Sequence, residues 1–120
     1  MPHRILVAED EPNIAKSLVF LLERAGFEAA VEGDGDKVAD TVWTQKPDAL
    51  LLDVMLPGRD GYEILRLLRA DARTAKLPVM ILTAKGQQED RRMAMDAGAT
   101  EFVTKPFSNA DVIEGVKRML

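Results

Sequence analysis

The chain has 120 residues, of which 47% are hydrophobic and 30% are charged, a balance typical of a soluble globular domain. Its net charge of −4 disfavours direct binding to nucleic acid, because such binding needs a concentrated positive face. Without cysteine there can be no disulfide and no thiolate site, and the single histidine, His3, excludes a His-rich metal site. No apolar run approaches the length of a membrane span or follows a signal-peptide pattern, so we expect no membrane association and a cytoplasmic location.

Short apolar runs alternate with segments of helical periodicity along the whole chain. The runs cover residues 5–8, 29–31, 49–52, 79–82 and 102–103. Three of them are continuous rather than alternating, which predicts strands that are buried on both faces of a sheet. The helical segments cover residues 14–25, 38–43, 61–68, 93–97 and 112–120.

Capping residues mark the ends of the predicted helices. Gly26 and Gly98 are expected to end the first and fourth helices, and Asp60 to begin the third. Asp34 or Asp36 is a plausible N-cap for the second helix, and Ser108 or Asn109 for the fifth.

This order predicts an α/β fold in which a strand and a helix alternate five times. Crossovers between parallel strands are right-handed, so the chain is expected to form a flavodoxin-like doubly wound sandwich with strand order 2-1-3-4-5. The second run has the weakest apolar content and charged flanks at Glu28 and Glu32, which suits an edge strand. No linker or repeat interrupts the pattern, so residues 1–120 are expected to form a single domain.

Acidic residues follow two strands that this topology makes neighbours. Glu9 and Asp10 follow the first strand, and Asp53 follows the third. Ligands of open α/β sheets bind beyond the carboxyl ends of the strands, at the point where the strand order reverses. Three carboxylates there repel each other, so a cation must stabilise them, either Lys105 after the fifth strand or a divalent ion such as Mg²⁺.

An Asp beside cations and a hydroxyl suits phosphoryl transfer onto the Asp itself. Thr83, at the end of the fourth strand, supplies the hydroxyl. A metal ion and an ammonium group neutralise the oxygens of the incoming phosphoryl group, and Asp is a known covalent phosphoacceptor.

The motifs resemble those of response-regulator receiver domains of two-component signalling, the CheY-like family. The resemblance covers Arg4 to Leu120. It rests on the following motifs in this order: Glu9-Asp10, Asp53 to Gly58 with Asp60-Gly61, Thr83-Ala84, Ala97-Gly98-Ala99 and Lys105-Pro106-Phe107.

The resemblance implies a role for each matching residue. Asp53 would be the phosphoacceptor, and Mg²⁺ (or Mn²⁺) would be bound by Asp10, Asp53, the backbone carbonyl of Met55 and, through water, Glu9. Thr83, Ala84 and Lys105 would contact the phosphoryl group, and Phe102 would be the aromatic switch, although an immobile core ring is nearly as good an interpretation. Met55 and Lys85 occupy positions that influence the lifetime of the phosphoryl group.

The resemblance also implies partners. The phosphoryl donor would be a histidine kinase or a phosphotransfer protein, and the output would be an effector protein or a covalently linked domain. Helix 4, strand 5 and helix 5 would form the partner surface. Met93 and Thr100 stand where related dimers carry charges, so we expect a monomer or a weak dimer. Such a domain catalyses only its own phosphorylation and dephosphorylation, and is therefore not classed as an enzyme.

Two other classes of protein remain as alternatives. A haloacid-dehalogenase-like phosphohydrolase also uses an aspartyl nucleophile, but it needs a second Asp where this chain has Met55. A flavodoxin-like flavin binder needs a loop rich in Ser, Thr and Gly after the first strand, whereas Glu9-Asp10-Glu11 would repel phosphate.

Several residues outside the motifs also carry expectations. The Lys105–Pro106 bond is predicted to be cis, because the ammonium group must turn back over Asp53. Trp43 is expected to pack on the second helix, away from the carboxylates. The remaining expectations are that Met93 and Met95 fill the core and that Arg91 and Arg92 belong to a solvated helix surface.

Overall fold

Strands and helices alternate along the chain in the computed structural model, which describes residues 2–84 and 88–120. The strands are β1 (Arg4–Ala8), β2 (Glu28–Glu32), β3 (Ala49–Asp53), β4 (Val79–Thr83) and β5 (Glu101–Thr104). The helices are α1 (Pro12–Arg24), α2 (Val38–Gln45), α3 (Gly61–Ala70), α4 (Gln88–Asp96) and α5 (Asn109–Met119), and a short 3₁₀ turn (Gly35–Lys37) precedes α2. None of the described helices is long and apolar enough to cross a membrane.

The strands form one parallel sheet in the order β2-β1-β3-β4-β5, which confirms the predicted topology. Strands β3 and β4 are buried along their whole length, as the continuous apolar runs predict. Strand β2 is partly exposed and lies at one edge. The two neighbours of β3 are β1 and β4, so the point at which the strand order reverses lies between β1 and β3.

Side chains of each central strand alternate between two apolar layers. Leu50 and Leu52 of β3 lie in the layer covered by α2, α3 and α4, whereas Leu51 lies in the layer covered by α1 and α5. Each layer buries large aliphatic side chains completely, for example Leu65 of α3 in the first and Leu22 of α1 in the second. This burial supplies the main favourable term in folding.

Side-chain caps begin the helices mostly where the sequence predicts them. The Asp60 carboxylate accepts a hydrogen bond from the Tyr62 amide at 2.7 Å, and the Ser108 hydroxyl accepts one from the Asp111 amide at 3.1 Å. Asp34 caps the 3₁₀ turn that precedes α2, whereas α2 itself begins at Val38, as expected, without a side-chain cap.

Two glycines end helices as expected. Gly26 and Gly98 follow α1 and α4 with φ values of +97° and +104°, a backbone conformation that favours glycine.

Helix α4 packs through small residues, and this makes one prediction wrong. Met93 and Met95 were expected to fill the core, but their side chains are 44% and 47% exposed. The buried residues here are Ala94, within α4, and Ala97, just after its last residue. Because Met93 and Met95 flank Ala94 in the helix, they lie on either side of this buried face and point outward.

A half-buried arginine of α3 binds the end of α4. The Arg69 guanidinium donates hydrogen bonds to the Gly98 carbonyl at 2.9 Å and to the Thr74 carbonyl at 3.0 Å. Burial lowers the pKa of Arg69. Within residues 2–84 and 88–120, no carboxylate lies within salt-bridge distance of Arg69. The two carbonyl groups are therefore the hydrogen-bond partners of its guanidinium.

Candidate phosphoacceptor site

Asp53 is the last residue of β3, and its side chain opens onto the carboxyl edge of the sheet. Only 4% of the residue is exposed. Its Oδ1 accepts a hydrogen bond from the Met55 amide at 3.2 Å, and its Oδ2 lies 3.3 Å from the Lys105 ammonium nitrogen. The next helix begins close by, because a Cβ placed on Gly61 would lie 2.7 Å from the Asp53 carbonyl oxygen. The glycine therefore allows α3 to start directly against the end of β3.

Glu9 and Asp10 follow β1 and meet Asp53, as predicted from their place after neighbouring strands. One carboxylate oxygen from each of these three residues lies within 4.8 Å of the others. We call this group the acidic cluster. Glu9 is 1% exposed, and its Oε2 accepts a hydrogen bond from the Asp10 amide at 3.1 Å, whereas Asp10 is exposed to solvent.

The N-cap of α1 is Glu11 and not a member of the acidic cluster. The Glu11 carboxylate accepts a hydrogen bond from the Ile14 amide at 2.9 Å, and Pro12 occupies the first helical position. Asp10 is therefore not needed as a cap, and its carboxylate stays available at the edge of the sheet.

Lys105 reaches the acidic cluster from the end of β5. Its ammonium nitrogen lies 2.6 Å from Glu9 Oε1, and its side chain is 18% exposed. The Lys105–Pro106 peptide bond is cis, which confirms the prediction from the sequence. The Lys105 amide also donates to the Thr83 carbonyl at 2.6 Å, so β4 fixes the backbone from which the side chain extends.

The electrostatics show that one ammonium group does not fully offset three carboxylates. Burial and the hydrogen bond to Asp53 raise the pKa of Glu9 to about 7, although Lys105 opposes the shift. Burial alone would lower the pKa of Lys105, but the hydrogen bond to Glu9 and the charge of Asp53 outweigh it and raise this pKa above its usual value. The site therefore has a surplus of negative charge when all three acids are ionised.

The remaining predicted site residues lie around this cluster. Thr83 is the last residue of β4 and is 3% exposed. The residue before it, Leu82, pairs in register with Asp53 of β3, so Thr83 lies near the acidic cluster. Ala84 is exposed and lines, with Lys105, a cavity of about 610 Å³. Met55 is 70% exposed, while its backbone amide donates a hydrogen bond to Asp53 Oδ1. Lys85, expected to influence phosphoryl lifetime, lies outside the described residues.

Phe102 and Trp43 occupy different surroundings. The Phe102 ring is buried in the layer under α4 and is only 9% exposed. Trp43 packs on α2 beside Pro47 and Leu77, which precede β3 and β4. Trp43 therefore lies at the opposite end of the strands from Asp53, as predicted.

Arg91 is exposed on α4, as expected for a solvated helix surface, but it also contacts an aromatic ring. Its guanidinium carbon lies 5.6 Å from the centroid of the Phe102 ring. The pattern of the sequence could not reveal this contact, because it depends on how α4 lies against β5. The sequence shows only that an arginine of α4 is followed by an aromatic residue in β5, which does not by itself predict a contact.

Comparison with known proteins identifies the family. The family model described as "Response regulator receiver domain" matches residues 5–117. The chain belongs to this family. It is a receiver domain of two-component signalling, and the phosphohydrolase alternative is not favoured.

Three relatives illustrate the similarity. The phosphate regulon transcriptional regulatory protein PhoB of Klebsiella pneumoniae is 39% identical over 120 residues, which are 100% of this chain and 52% of that protein. A putative response regulator from Chloroflexus aurantiacus has a structure with a TM-score of 0.95 at 33% identity, covering 99% of this chain and 98% of that one. The receiver domain of the sensor histidine kinase PA1611 from Pseudomonas aeruginosa has a TM-score of 0.90 at 30% identity, covering 99% and 98%.

The acidic cluster fits a magnesium ion on its own geometry. Its three carboxylates each offer an oxygen, a hard ligand, and these oxygens lie within 4.8 Å of one another beside a single ammonium group. The PA1611 receiver domain is described with a magnesium ion coordinated in its active site cleft. The chain thus has the family, the fold and a group of acids suited to Mg²⁺.

Proposed function

We propose that residues 1–120 form one receiver domain in which Asp53 accepts a phosphoryl group from a histidine kinase or a phosphotransfer protein. The observation that carries this proposal is the position of the Asp53 carboxylate, 3.3 Å from the Lys105 ammonium and within 4.8 Å of acids at the end of β1. A buried carboxylate that has both a cation and a metal-binding group beside it can act as a nucleophile and accommodate added charge.

Metal binding is assigned to residues at the ends of two strands. Asp10, Asp53 and the Met55 carbonyl would hold Mg²⁺ directly, and Glu9 would hold it through water. When bound, the ion neutralises charge on the phosphoryl oxygens. Mn²⁺ takes the same oxygen ligands and is expected to replace Mg²⁺.

The protein's own side chains orient the transfer. Lys105 would pair with one phosphoryl oxygen, and the Thr83 hydroxyl and the Ala84 backbone would bind others. The bond from phosphorus to the donor histidine nitrogen breaks while a bond from phosphorus to an Asp53 oxygen forms, and water later cleaves the latter bond. This catalysis acts on the domain itself, so the proposed role is that of a switch rather than an enzyme.

Output is assigned to the surface formed by α4, β5 and α5, with Phe102 reporting the state of Asp53. The reader is proposed to be an effector protein or a covalently linked domain. The chain spans about half the length of the curated relative that it matches, a protein described as a transcriptional regulator, which supports the second possibility. A cytoplasmic location belongs to the proposal, because kinases of two-component systems draw their phosphoryl groups from ATP.

Self-association through this surface is proposed to be weak. Met93 and Thr100 offer no charge where dimeric relatives have charged pairs. Light scattering with beryllofluoride and Mg²⁺ is expected to give a monomer or a weakly associating dimer. A tight dimer would contradict this part of the proposal.

The phosphoacceptor assignment is tested by incubation with acetyl phosphate and Mg²⁺ followed by intact mass. The wild-type chain is expected to gain one phosphoryl group, and Asp53→Asn is expected to gain none, because the amide is not nucleophilic. Asp60→Asn is the matched control, since this exposed cap lies outside the acidic cluster and asparagine also caps helices. Undiminished labelling of Asp53→Asn would overturn the assignment, and continuous hydrolysis without labelling would favour a phosphohydrolase.

A further inference from the structure

The contact between Arg91 and Phe102 joins helix α4 to strand β5. The guanidinium carbon lies 5.6 Å from the ring centroid, within the range in which a cation is attracted to an aromatic face. Arg91 is exposed to solvent and the ring is 9% exposed. The arginine therefore covers the outer side of a ring whose inner side packs in the core.

This arginine has no competing ion pair in the part of the chain that the structure describes. The salt bridges found there involve other cations, whereas the comparable guanidinium of Arg73, stacked on Trp43, is also bound to Asp71 at 2.7 Å. Within the described residues, the group that contacts the Arg91 guanidinium is thus the Phe102 ring. Phenylalanine has no hydroxyl group that could hold the ring by a hydrogen bond, so the contact with Arg91 has no polar competitor on the ring itself.

The surroundings also offer the ring a second position. A groove of about 380 Å³ lies between β5 and α5 and is lined by Phe102 together with Asp111, Glu114 and Arg118. A ring that left the core could enter this groove, which Arg91 does not line and whose own cation, Arg118, is paired with Glu101 at 2.8 Å. The two orientations therefore differ in whether Arg91 can contribute.

We propose that Arg91 is a positioning residue that holds Phe102 in its buried orientation and so couples α4 to β5. This inference deepens the proposed function, because it rests on Phe102 reporting the state of Asp53. If phosphorylation favours the buried ring, linkage requires that a residue favouring the buried ring also favours phosphorylation. Arg91 would then set how far the switch is populated before phosphorylation.

The test measures the ring directly in metal-free protein. The chain contains four phenylalanines, so 4-fluorophenylalanine labelling gives four ¹⁹F signals, and Phe102→Leu identifies the one to follow. Arg91→Met keeps a long apolar side chain and removes the charge, Arg91→Lys keeps a cation, and Arg92→Met is the matched control on the same helix. The response of the Phe102 signal to replacing H₂O by D₂O reports ring exposure.

We expect Arg91→Met to lower the ratio of buried to exposed ring by about two- to five-fold, the size expected of an exposed cation–π contact. Arg91→Lys is expected to restore most of the ratio, and Arg92→Met to leave it unchanged. A Phe102 signal that is the same in Arg91→Met and wild type would overturn the proposal. An equal effect of Arg92→Met would overturn it as well, since the charge of the helix rather than the contact would then be responsible.

The same spectra separate this inference from the proposed function. Adding beryllofluoride and Mg²⁺ to the wild-type chain tests whether the ring responds to the state of Asp53. A ring that responds to Arg91→Met but not to beryllofluoride would support the Arg91 contact and refute Phe102 as the reporter. A ring that responds to beryllofluoride but not to Arg91→Met would support the reporter and refute the role of Arg91.

Discussion

The acidic cluster and the apolar layers beneath it are built on the same strands but respond to burial in opposite ways. In β3, Leu50, Leu51 and Leu52 are completely buried, and each contributes favourable free energy by leaving water. The next residue, Asp53, is almost as buried, and its neighbour Glu9 has its pKa raised to about 7 by that burial. One residue along the strand thus separates burial that stabilises from burial that costs free energy.

The difference shows where selection for folding and selection for function diverge. In the layers, hydrophobic periodicity, strand propensity and packing all favour the same structure. At the cluster, three acids are held together with one lysine, an arrangement that a protein selected for stability alone would avoid. Each prediction below alters one of these two regions and compares the response with that of the other.

The largest effect on stability is expected in the apolar layers. Leu22→Ala, at a fully buried position of α1, should lower the free energy of unfolding by about 3 kcal/mol, because it removes apolar contacts and leaves a cavity. Urea denaturation measures the change. Leu67→Ala on α3 is the control, since Leu67 is 37% exposed and its truncation should cost well under 1 kcal/mol. A similar loss at both positions would mean that the layers are not the source of stability.

Next in size is a pH dependence that arises in the acidic cluster. Without metal, the folded protein binds a proton at Glu9 more tightly than the unfolded chain does, since the pKa is about 7 rather than 4.5. Its contribution to stability is therefore complete below pH 4.5 and is lost as the pH rises through about 7. The loss should amount to roughly 2 kcal/mol. Urea titrations in EDTA across this range should show the decline in wild type and not in Glu9→Gln, and the same slope in both would exclude Glu9 as its source.

A smaller effect of opposite sign is expected when Asp53 loses its charge. Asp53→Asn should stabilise the metal-free protein by about 1 kcal/mol, because relief of the repulsion from Glu9 and Asp10 exceeds the lost attraction to Lys105. Thermal unfolding in EDTA would detect the gain, and Mg²⁺ should reduce it. Asp60→Asn serves again as the control. Destabilisation of the metal-free variant would show that Lys105 already balances the cluster.

The smallest effect is expected in the fluorescence of Trp43. Its ring lies at the amino-terminal end of the strands, stacked against Arg73 at 4.5 Å, so Mg²⁺ binding at the carboxyl end should change its emission little. Titration of the single tryptophan with Mg²⁺ measures this. Strong quenching that disappears in Asp10→Ala would show that the two ends of the sheet communicate.

Most of the fold and much of the site could be predicted because both follow from local patterns. The continuous apolar runs gave the buried strands, and the acids after the first and third runs meet at the acidic cluster because parallel strands end at the same edge. Asp60 and Ser108 cap their helices because a cap depends on residues two or three positions away.

What could not be predicted depends on angles and depths that arise only in the folded chain. The outward position of Met93 and the contact of Arg91 with Phe102 are set by the orientation of α4 on the sheet. The burial of Glu9, which raises its pKa, depends on how the ends of the strands pack around its carboxylate. Glu11 rather than Asp10 caps α1 because of the precise path of the chain into that helix.

The sequence of β3 has a further consequence for how the strands find their alignment. In a strand with one face exposed to solvent, a one-residue shift in register costs free energy, because it buries the polar side chains and exposes the apolar ones. Ala49 to Leu52 are apolar on both faces, so such a slip would exchange one apolar side chain for another and would not bury a polar group. Asp53 supplies the missing penalty, since a shift that drew it further inward would take an ionised group into the core at a cost of several kcal/mol. The acid at the end of the strand thus also acts as a stop that fixes the register of the central sheet, and a single-residue deletion in β3 would be more damaging than most substitutions there.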